Sequence, residues 1–218
     1  MDKMHRYIHM LLEANRGMNL TGANTVEELT ERHVKDSLAL LDFVELREGM
    51  RVLDMGTGAG FPGIPLAIQT DASFVLVDSL KKRVDFLSKV CEELELRNVA
   101  LSDLRAEEFL RVPAYRESFD IVVSRALAPL NLLLEYTIPG LKVGGKFYSY
   151  KSSNLEEEIC SAETALQVLR SEITYAFDYT VRDGKGEEIH LKILEITKRE
   201  VTDAKYPRRV GVPAKRPL

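Results

Sequence analysis

Two hydrophobic patterns divide the chain. Up to about residue 46, apolar residues recur at the spacing of helix faces, and the polar segment 19–22 interrupts them. From residue 51 onward, short apolar runs alternate with amphipathic stretches, which predicts parallel strands joined by helical crossovers. The two apolar helix stripes are Ile8, Leu11 and Leu12, then Val34, Leu38 and Leu41. The pattern therefore predicts N-terminal helices followed by an α/β domain.

Seven apolar runs are predicted as strands, and a helix over 80–95 separates the second from the third. The last two runs flank the turn 183–186 and leave no room for a helix, so we expect an antiparallel hairpin. The predicted strands cover 51–55, 73–77, 99–102, 119–123, 146–150, about 173–179, and 190–197. A mostly parallel seven-stranded sheet that ends in such a hairpin is typical of Rossmann-like class I methyltransferases. A dinucleotide-binding domain would continue with parallel units.

A glycine-rich turn follows the first predicted strand. Gly56, Gly58 and Gly60 occupy every second position after the strand-end acid Asp54, and an apolar helix start follows at about residue 64. Glycines allow a tight reversal and let a ligand lie against bare backbone, which a Cβ atom would obstruct. The turn is therefore predicted to bind a nucleotide.

Two ligand classes use such a turn, since Gly58, Gly60 and Gly63 also match the dinucleotide fingerprint. Asp54 would repel a pyrophosphate, but it would complement the ammonium or sulfonium of S-adenosylmethionine. Asp78 ends the second strand 22 residues after Gly56, at the spacing of a ribose-binding carboxylate. We therefore predict S-adenosylmethionine as the cofactor, and a NAD-linked oxidoreductase remains the alternative.

Composition limits the remaining classes. The chain has 218 residues, 45% of them apolar, and a net charge of −4, so a surface for a polyanion must be local. Neither a signal peptide nor a membrane span is visible in the sequence. The two cysteines, Cys91 and Cys160, do not have the spacing of a paired motif, so we expect a cytoplasmic protein. His5 and His9 share a helix face without a third ligand, so no metal is predicted. We divide the chain into a helical extension (1–46), a catalytic domain (47–204) and a basic tail (205–218).

The tail concentrates positive charge without any acid. Its aromatic residue, Tyr206, is predicted to stack on an unpaired base, while its cations suit phosphates. With three prolines and little apolar surface, the tail is expected to add little to the core. The five cations are Lys205, Arg208, Arg209, Lys215 and Arg216.

Seven motifs occur along nearly the whole chain, at 19–21, 32–38, 54–67, 78–83, 105–108, 124–126 and 206–218. With these motifs the chain resembles one family, the RsmG or glucose-inhibited division protein B (GidB) methyltransferases. It departs from the family pattern at Ala14 and Ser152. The resemblance implies methylation of N7 of a guanosine in the 530 loop of bacterial 16S ribosomal RNA, in the small subunit or an assembly intermediate, by a monomer.

The resemblance also assigns residues. Carried over by position, the family's cofactor contacts fall on Gly56, Phe61, Ala106, Glu107 and Arg125. We further expect Ser79 to lie beside the cofactor and His33 and Lys151 to lie on the RNA side.

Guanine N7 has a lone pair and no proton, so its methylation is an in-line displacement that needs positioning and no general base. The fourth strand ends in Ser124-Arg125-Ala126, and ligands of open parallel sheets bind beyond the strands' carboxyl ends, so Arg125 is predicted to face both cofactor and base. His33 and Asp36 form either a hydrogen-bonded pair or a structural cap. A third reading, an RNA-binding assembly factor without catalysis, is disfavoured by the intact Asp54, Gly56, Asp78 and Arg125.

Overall fold

A seven-stranded sheet forms the centre of the molecule. The computed structural model describes residues 2–152, 155–183 and 186–218. The strand order is β3-β2-β1-β4-β5-β7-β6, in which β7 runs antiparallel to both of its neighbours and the other pairs are parallel. The strands are β1 Arg51–Met55, β2 Ser73–Val77, β3 Val99–Ser102, β4 Phe119–Arg125, β5 Leu141–Ser152, β6 Ser171–Arg182 and β7 Glu188–Lys198.

Helices cover both faces of this sheet. The α-helices are α1 Lys3–Met18, α2 Val26–Glu28, α3 Lys35–Leu38, α4 Gly63–Gln69, α5 Lys81–Glu93, α6 Ala106–Phe109, α7 Leu130–Glu135, α8 Glu156–Val168 and α9 Val212–Lys215. The chain is continuously helical from α2 to residue 42, because a π-helix at Leu29–Val34 precedes α3 and a 3₁₀-helix at Ala39–Asp42 follows it. A second 3₁₀-helix lies at Ile138–Gly140.

The predicted fold class is confirmed, and the first three strands match their predicted bounds. The later strands are longer than predicted because paired backbone continues through polar and glycine-containing segments that carry no apolar run. The hairpin is confirmed by the pairing of Arg182 with Glu188. Gly184 and Lys185 of its predicted turn lie outside the described residues.

The N-terminal helices are an integral part of one core. Ile8 and Leu11 of α1 are buried against the sheet, and Tyr7 donates a hydrogen bond to the Ala59 carbonyl (2.8 Å) in the glycine-rich turn. Helix α1 ends where Asn19 adopts the left-handed conformation (φ 49°), and the Asn15 amide holds the following loop through the Thr21 backbone. The start of the chain therefore braces the edge of the sheet at which β1 ends.

The second core lies on the other face of the sheet and includes the C-terminal tail. Tyr206 is 8% exposed within this core, and Arg116 donates to its carbonyl (2.6 Å). Arg208 binds Glu135, which is 1% exposed, through both carboxylate oxygens and through its own backbone N–H. Pro213 of α9 is also buried.

The expectation that the tail adds little to the core was therefore wrong. Tyr206 is almost fully buried, which argues against its predicted stacking on an RNA base. The sequence could not show this, because a basic residue looks the same whether its partner is a phosphate or a buried carboxylate. The remaining cations, Lys205, Arg209, Lys215 and Arg216, are exposed. Within the described parts of the chain, no helix combines the length and apolar content needed to cross a bilayer.

The Arg208–Glu135 pair should measure how far the tail supports the fold. Arg208→Ala leaves the Glu135 carboxylate buried without its guanidinium, so we expect the free energy of unfolding to fall by about 3 kcal/mol. Arg209→Ala, a matched change at an exposed neighbour, should shift it by less than about 0.5 kcal/mol. Urea denaturation compares the two variants. Equal stabilities would mean that the Arg208–Glu135 pair is dispensable to the fold.

Candidate active site

The glycine-rich turn rests on a buried carboxylate. Asp54 Oδ2 accepts hydrogen bonds from Thr57 Oγ1 (2.6 Å) and from the Gly63 N–H (2.8 Å) at the start of α4. Burial raises the pKa of Asp54 to about 6, against the opposing effect of these hydrogen bonds. Its Oδ1 is buried and has no hydrogen-bond partner among the described residues. Asp54 thus ties the end of β1 to α4, and its unpartnered oxygen suits a cationic ligand.

The glycines of the turn have different tasks. A Cβ on Gly60 would lie 2.7 Å from Ile64 and 2.9 Å from the Tyr7 hydroxyl, so Gly60 is required by packing beneath the turn. Gly58 has φ +61°, and a Cβ there would meet nothing within 4 Å. The space beside Gly58 is therefore open, as expected where a ligand lies against the backbone.

Asp78 braces the same turn from the end of β2. Its Oδ2 accepts from the Gly58 N–H (3.0 Å) and from Arg83 Nη1 (3.0 Å), while its Oδ1 accepts from the Leu80 N–H (2.9 Å). Asp78 is 6% exposed. Its carboxylate is thereby held at the mouth of a cleft next to the turn, where the sequence predicts a ribose.

The cleft, which we call the cofactor cleft after the contacts predicted for its lining residues, has a volume of about 160 Å³. It lies between the ends of β1 and β2 and the start of α6. Five residues predicted to bind cofactor line it: Gly56, Asp78, Ser79, Ala106 and Glu107. Sequence reasoning assigned no cofactor contact to the other six lining residues, which are Met55, Val77, Leu104, Arg105, Leu127 and Tyr136. Val77, Leu104, Leu127 and Tyr136 also lie outside the recognised motifs. The cleft brings together the carboxyl ends of neighbouring strands, as an open parallel sheet requires.

The wall of the cofactor cleft includes a contact with the tail. Glu107 is 4% exposed, and its Oε1 accepts from the Gly211 N–H (3.0 Å) and lies 3.5 Å from the Tyr136 hydroxyl. Burial and the adjacent charges of Glu107 and Glu135 raise the pKa of Tyr136 to about 12. The sequence gives no signal for the contact between Glu107 and Gly211, because the two residues lie far apart in the chain.

Arg125 lies at the end of β4 between the turn and a second cavity. Its Nη1 donates to Asp36 Oδ2 (2.5 Å), its Nη2 donates to His33 Nδ1 (3.1 Å), and its guanidinium carbon lies 5.0 Å from the centre of the Phe61 ring. The side chain is 15% exposed. We call the cavity, which has a volume of about 390 Å³, the Arg125 cavity. It is lined by Arg32, His33, Asp36, Arg125, Ala126, Tyr150, Lys151, Ser152, Tyr179, Val181, Ile189 and Leu191.

His33 is neutral in this arrangement. A guanidinium only donates, so Nδ1 is the acceptor, and Nε2 carries the proton toward Thr21 Oγ1 (3.1 Å). Burial lowers the pKa of His33 to about 4, helped by the charges of Arg125 and Arg32. The ring also stacks on Phe61 at 5.1 Å. His33 belongs to the π-helix, and such segments occur frequently at functional sites.

The two readings of His33 and Asp36 can now be compared with the structure. Both residues bind Arg125, and Asp36 also accepts a hydrogen bond from the Tyr179 hydroxyl on β6. His33 and Asp36 therefore hold the Arg125 guanidinium between them, and we call this arrangement the clamp. It differs from both predictions, a hydrogen bond between His33 and Asp36 and a helix cap. The sequence signal was the spacing of His33 and Asp36 by three residues, which brings both to one side of the helical segment.

Lys151 has a different environment from the one expected. Its Nζ forms an ion pair with Glu158, its side chain is only 10% exposed, and the Ala128 carbonyl lies 3.5 Å away. Lys151 lines the Arg125 cavity, but its charge is compensated within the protein, which argues against the predicted contact with RNA. No group of three His, Cys, Asp or Glu side chains suited to a metal occurs in residues 2–152, 155–183 and 186–218.

Comparison with known proteins decides the family. The family model described as rRNA small subunit methyltransferase G, GidB, matches residues 1–181. This chain belongs to that family. The protein named ribosomal RNA small subunit methyltransferase G from Desulfitobacterium hafniense is 45% identical over 218 residues, which is 100% of this chain and 89% of the relative. The protein of the same name from Streptococcus suis is 39% identical over 99% of this chain and 90% of its own length.

Solved structures agree on the fold. YcgJ from Bacillus subtilis aligns with a TM-score of 0.54 at 17% identity, over 77% of this chain and 100% of its own. TYW2 from M. jannaschii, determined in complex with AdoMet, gives a TM-score of 0.57 at 16% identity, over 81% of this chain and 78% of its own. The family and the fold confirm the prediction of an S-adenosylmethionine-dependent methyltransferase, and the NAD-linked alternative was wrong.

Replacing Gly58 tests whether the open space beside the turn is where the cofactor binds. A control substitution at a second glycine with positive φ accounts for the effect of backbone strain. A valine at Gly58 would fill the open space beside the turn and be strained at φ +61°, so we expect S-adenosylmethionine binding to become undetectable by calorimetry. Gly49 has φ +85° and equally open surroundings before β1, away from the turn, so Gly49→Val is the matched control. Its cofactor affinity should equal that of the unmodified protein. Retained binding in the Gly58 variant would reject the assignment of the turn.

The low pKa of His33 should be visible in the pH dependence of stability. The unfolded chain protonates this histidine below about pH 6.5, whereas the folded protein does so only near pH 4. Stability should therefore decrease as the pH falls from 6.5 to 4, by an amount on the order of 3 kcal/mol. In His33→Gln this contribution is absent. The raised pKa of Asp54 has the opposite effect, since it favours the folded protein as the pH falls, but that effect is the same in both proteins. Parallel stability curves for the two proteins would contradict the buried, neutral state of His33.

Proposed function

We propose that this protein transfers the methyl group of S-adenosylmethionine to N7 of a guanosine in the 530 loop of bacterial 16S ribosomal RNA. Membership of the rRNA small subunit methyltransferase G family supports the RNA substrate. The observation that carries the proposal is the position of Arg125 between the glycine-rich turn and the Arg125 cavity. The helical extension (1–46) and the basic tail (205–218) flank the catalytic domain (47–204), and the protein acts as a cytoplasmic monomer.

The cofactor is proposed to occupy the cofactor cleft, with its adenosine toward Asp78, Ser79, Ala106 and Glu107. Its methionine part extends along Gly56 and Gly58 toward Asp54 and Phe61. When bound, S-adenosylmethionine supplies an electrophilic methyl group on a sulfonium. The unpaired Asp54 Oδ1 and the open space at Gly58 support this placement. Gly60 contributes by permitting the tight packing beneath the turn.

Arg125 is proposed to align the two reactants. Asp36 and His33 occupy one N–H of each terminal nitrogen, and the other guanidinium donors are available to the cofactor carboxylate or to guanine O6. Because the clamp and Phe61 hold the guanidinium, little side-chain freedom is lost when a ligand binds. Fixed geometry of this kind is the main source of rate for a direct displacement.

The ionisable groups beside the cavity suit an acceptor that needs no deprotonation. Both ring nitrogens of His33 are engaged, by Arg125 and Thr21, so neither is ready to take a proton. Both oxygens of Asp36 accept hydrogen bonds, from Arg125 and from Tyr179. Guanine N7 attacks with its own lone pair, so this arrangement favours N7 over a hydroxyl or an exocyclic amine.

On the RNA side, the exposed cations of the tail are proposed to contact phosphates. Lys205, Arg209, Lys215 and Arg216 remain accessible, whereas Arg208 is held by Glu135. His33 is a wall of the Arg125 cavity, where the target base enters. Each phosphate contact that is lost should lower the slope of the salt dependence of binding by about 0.7 to 0.9.

The experiment that tests the proposal is nucleoside mapping. Purified protein, S-adenosylmethionine and either small subunits or naked 16S RNA from a strain that lacks the gene are incubated, and methylated nucleosides are located by mass spectrometry. We expect 7-methylguanosine in the 530 loop. Arg125→Lys keeps the charge but loses the planar fork, so its kcat/KM should fall roughly 100-fold.

The same assay also tests the absence of a general base. At saturating substrates, the rate should stay level between pH 6 and 9, since no catalytic group must lose a proton. A rate that rises tenfold per pH unit in this range, or a methyl group on any atom other than N7, would refute the proposed reaction.

A further inference from the structure

A row of aromatic side chains, exposed at its outer end, leads away from the Arg125 cavity. Tyr175, Phe177 and Tyr179 occupy alternate positions of β6, and we call them the β6 aromatic row. Phe177 stacks on Tyr175 (ring centres 4.8 Å apart) and on Phe43 (4.5 Å), which follows the N-terminal helices. Tyr175 is 61% exposed and Phe43 is 39% exposed. The outer end of this stack therefore presents an open ring face to solvent.

The row connects with the candidate active site. Strand β6 is the last strand of the sheet, and alternate residues of a strand share one face. Tyr179 lines the Arg125 cavity and donates to Asp36, which in turn accepts from Arg125. At about 3.3 Å per residue, Tyr175 lies roughly 13 Å along the strand from Tyr179. The row thus begins, at Tyr179, beside the place where the proposed target base enters.

We propose that the β6 aromatic row binds an unpaired rRNA base that neighbours the target guanosine, by stacking on Tyr175. The inference rests on the proposed function. Unpaired loop bases are commonly recognised by stacking on aromatic side chains, and such stacking needs a flat exposed ring. The exposed Arg32 at the cavity adds a cation, which suits a nearby phosphate of the same strand.

A second copy of the chain is the competing occupant, because β6 is an edge strand. Exposed charged residues along β6, including Glu172, Asp178 and Arg182, discourage strand pairing between molecules. The aromatic rings, moreover, lie on the face of the sheet and not along its free backbone edge. The position of the row beside the cavity favours RNA, and self-association becomes an outcome of the test.

The chain has no tryptophan, so one introduced tryptophan reports on one place. Tyr175→Trp puts the probe on the row. Val143→Trp, at a 53% exposed site near the start of β5, is the control variant with its probe away from the row. The RNA probe is a hairpin with the sequence of the 530 loop, and its fully paired duplex serves as the control RNA. We expect the hairpin to quench the fluorescence of the Tyr175→Trp variant in a saturable way, while the control variant does not respond and the duplex has little effect on either protein.

Affinity measurements complete the test. Loss of one base stack should weaken hairpin binding by Tyr175→Ala by roughly 5-fold or more, whereas Tyr175→Phe retains affinity because the ring face remains. Cofactor affinity should be unchanged in both variants. Equal hairpin binding by Tyr175→Ala, or equal quenching of the two tryptophan variants, would overturn the proposal. So would a fluorescence signal from the Tyr175→Trp variant that depends on protein concentration without RNA, since that indicates self-association.

The outcome is separable from that of nucleoside mapping. If mapping finds 7-methylguanosine in the 530 loop while Tyr175→Ala binds the hairpin normally, the aromatic row is rejected and the reaction stands. If the hairpin quenches the Tyr175→Trp variant but the methyl group is found on another atom, the proposed reaction fails while the stacking surface remains.

Discussion

The Arg125 guanidinium holds together four parts of the chain that are distant in sequence. It extends from β4, binds His33 and Asp36 of the N-terminal helical segment, and lies over Phe61 of the glycine-rich turn; through Asp36 it reaches Tyr179 of the hairpin. A mostly buried charge is tolerable only when its partners satisfy it. The N-terminal helices and the hairpin are therefore required around this charge, which also forms part of the wall of the Arg125 cavity.

The sequence specified the parts of the fold that depend on local pattern. Strands β1, β2 and β3 could be located to the residue because each is a short apolar run between polar boundaries. The turn was recognisable because glycines are spaced where the backbone must adopt positive φ angles or pack closely. The tail was misread because the pairing of Arg208 with Glu135 depends on tertiary structure, as does the burial of Tyr206. The sequence likewise identified His33, Asp36 and Arg125 as separate candidates, but it did not show that the first two bind the third.

Asp54 fits two interpretations, a contact with a cationic ligand and a brace for the backbone of the turn. A strand-end acid was interpreted as a partner for a cation, and the structure shows it accepting from Thr57 and the Gly63 N–H beneath the turn. Both tasks use the same carboxylate, since one oxygen braces the backbone and the other has no partner among the described residues. Its raised pKa reflects this incomplete compensation.

The hydrogen bond from the Gly211 N–H to Glu107 joins positions 104 residues apart in the chain. Glu107 lines the cofactor cleft, so the wall of that cleft acquires this hydrogen bond only when the segment around Gly211 is in place. Glu107 is synthesised long before its partner, so this part of the cleft wall is completed only late in translation. A chain terminated before Gly211 would lack the hydrogen bond.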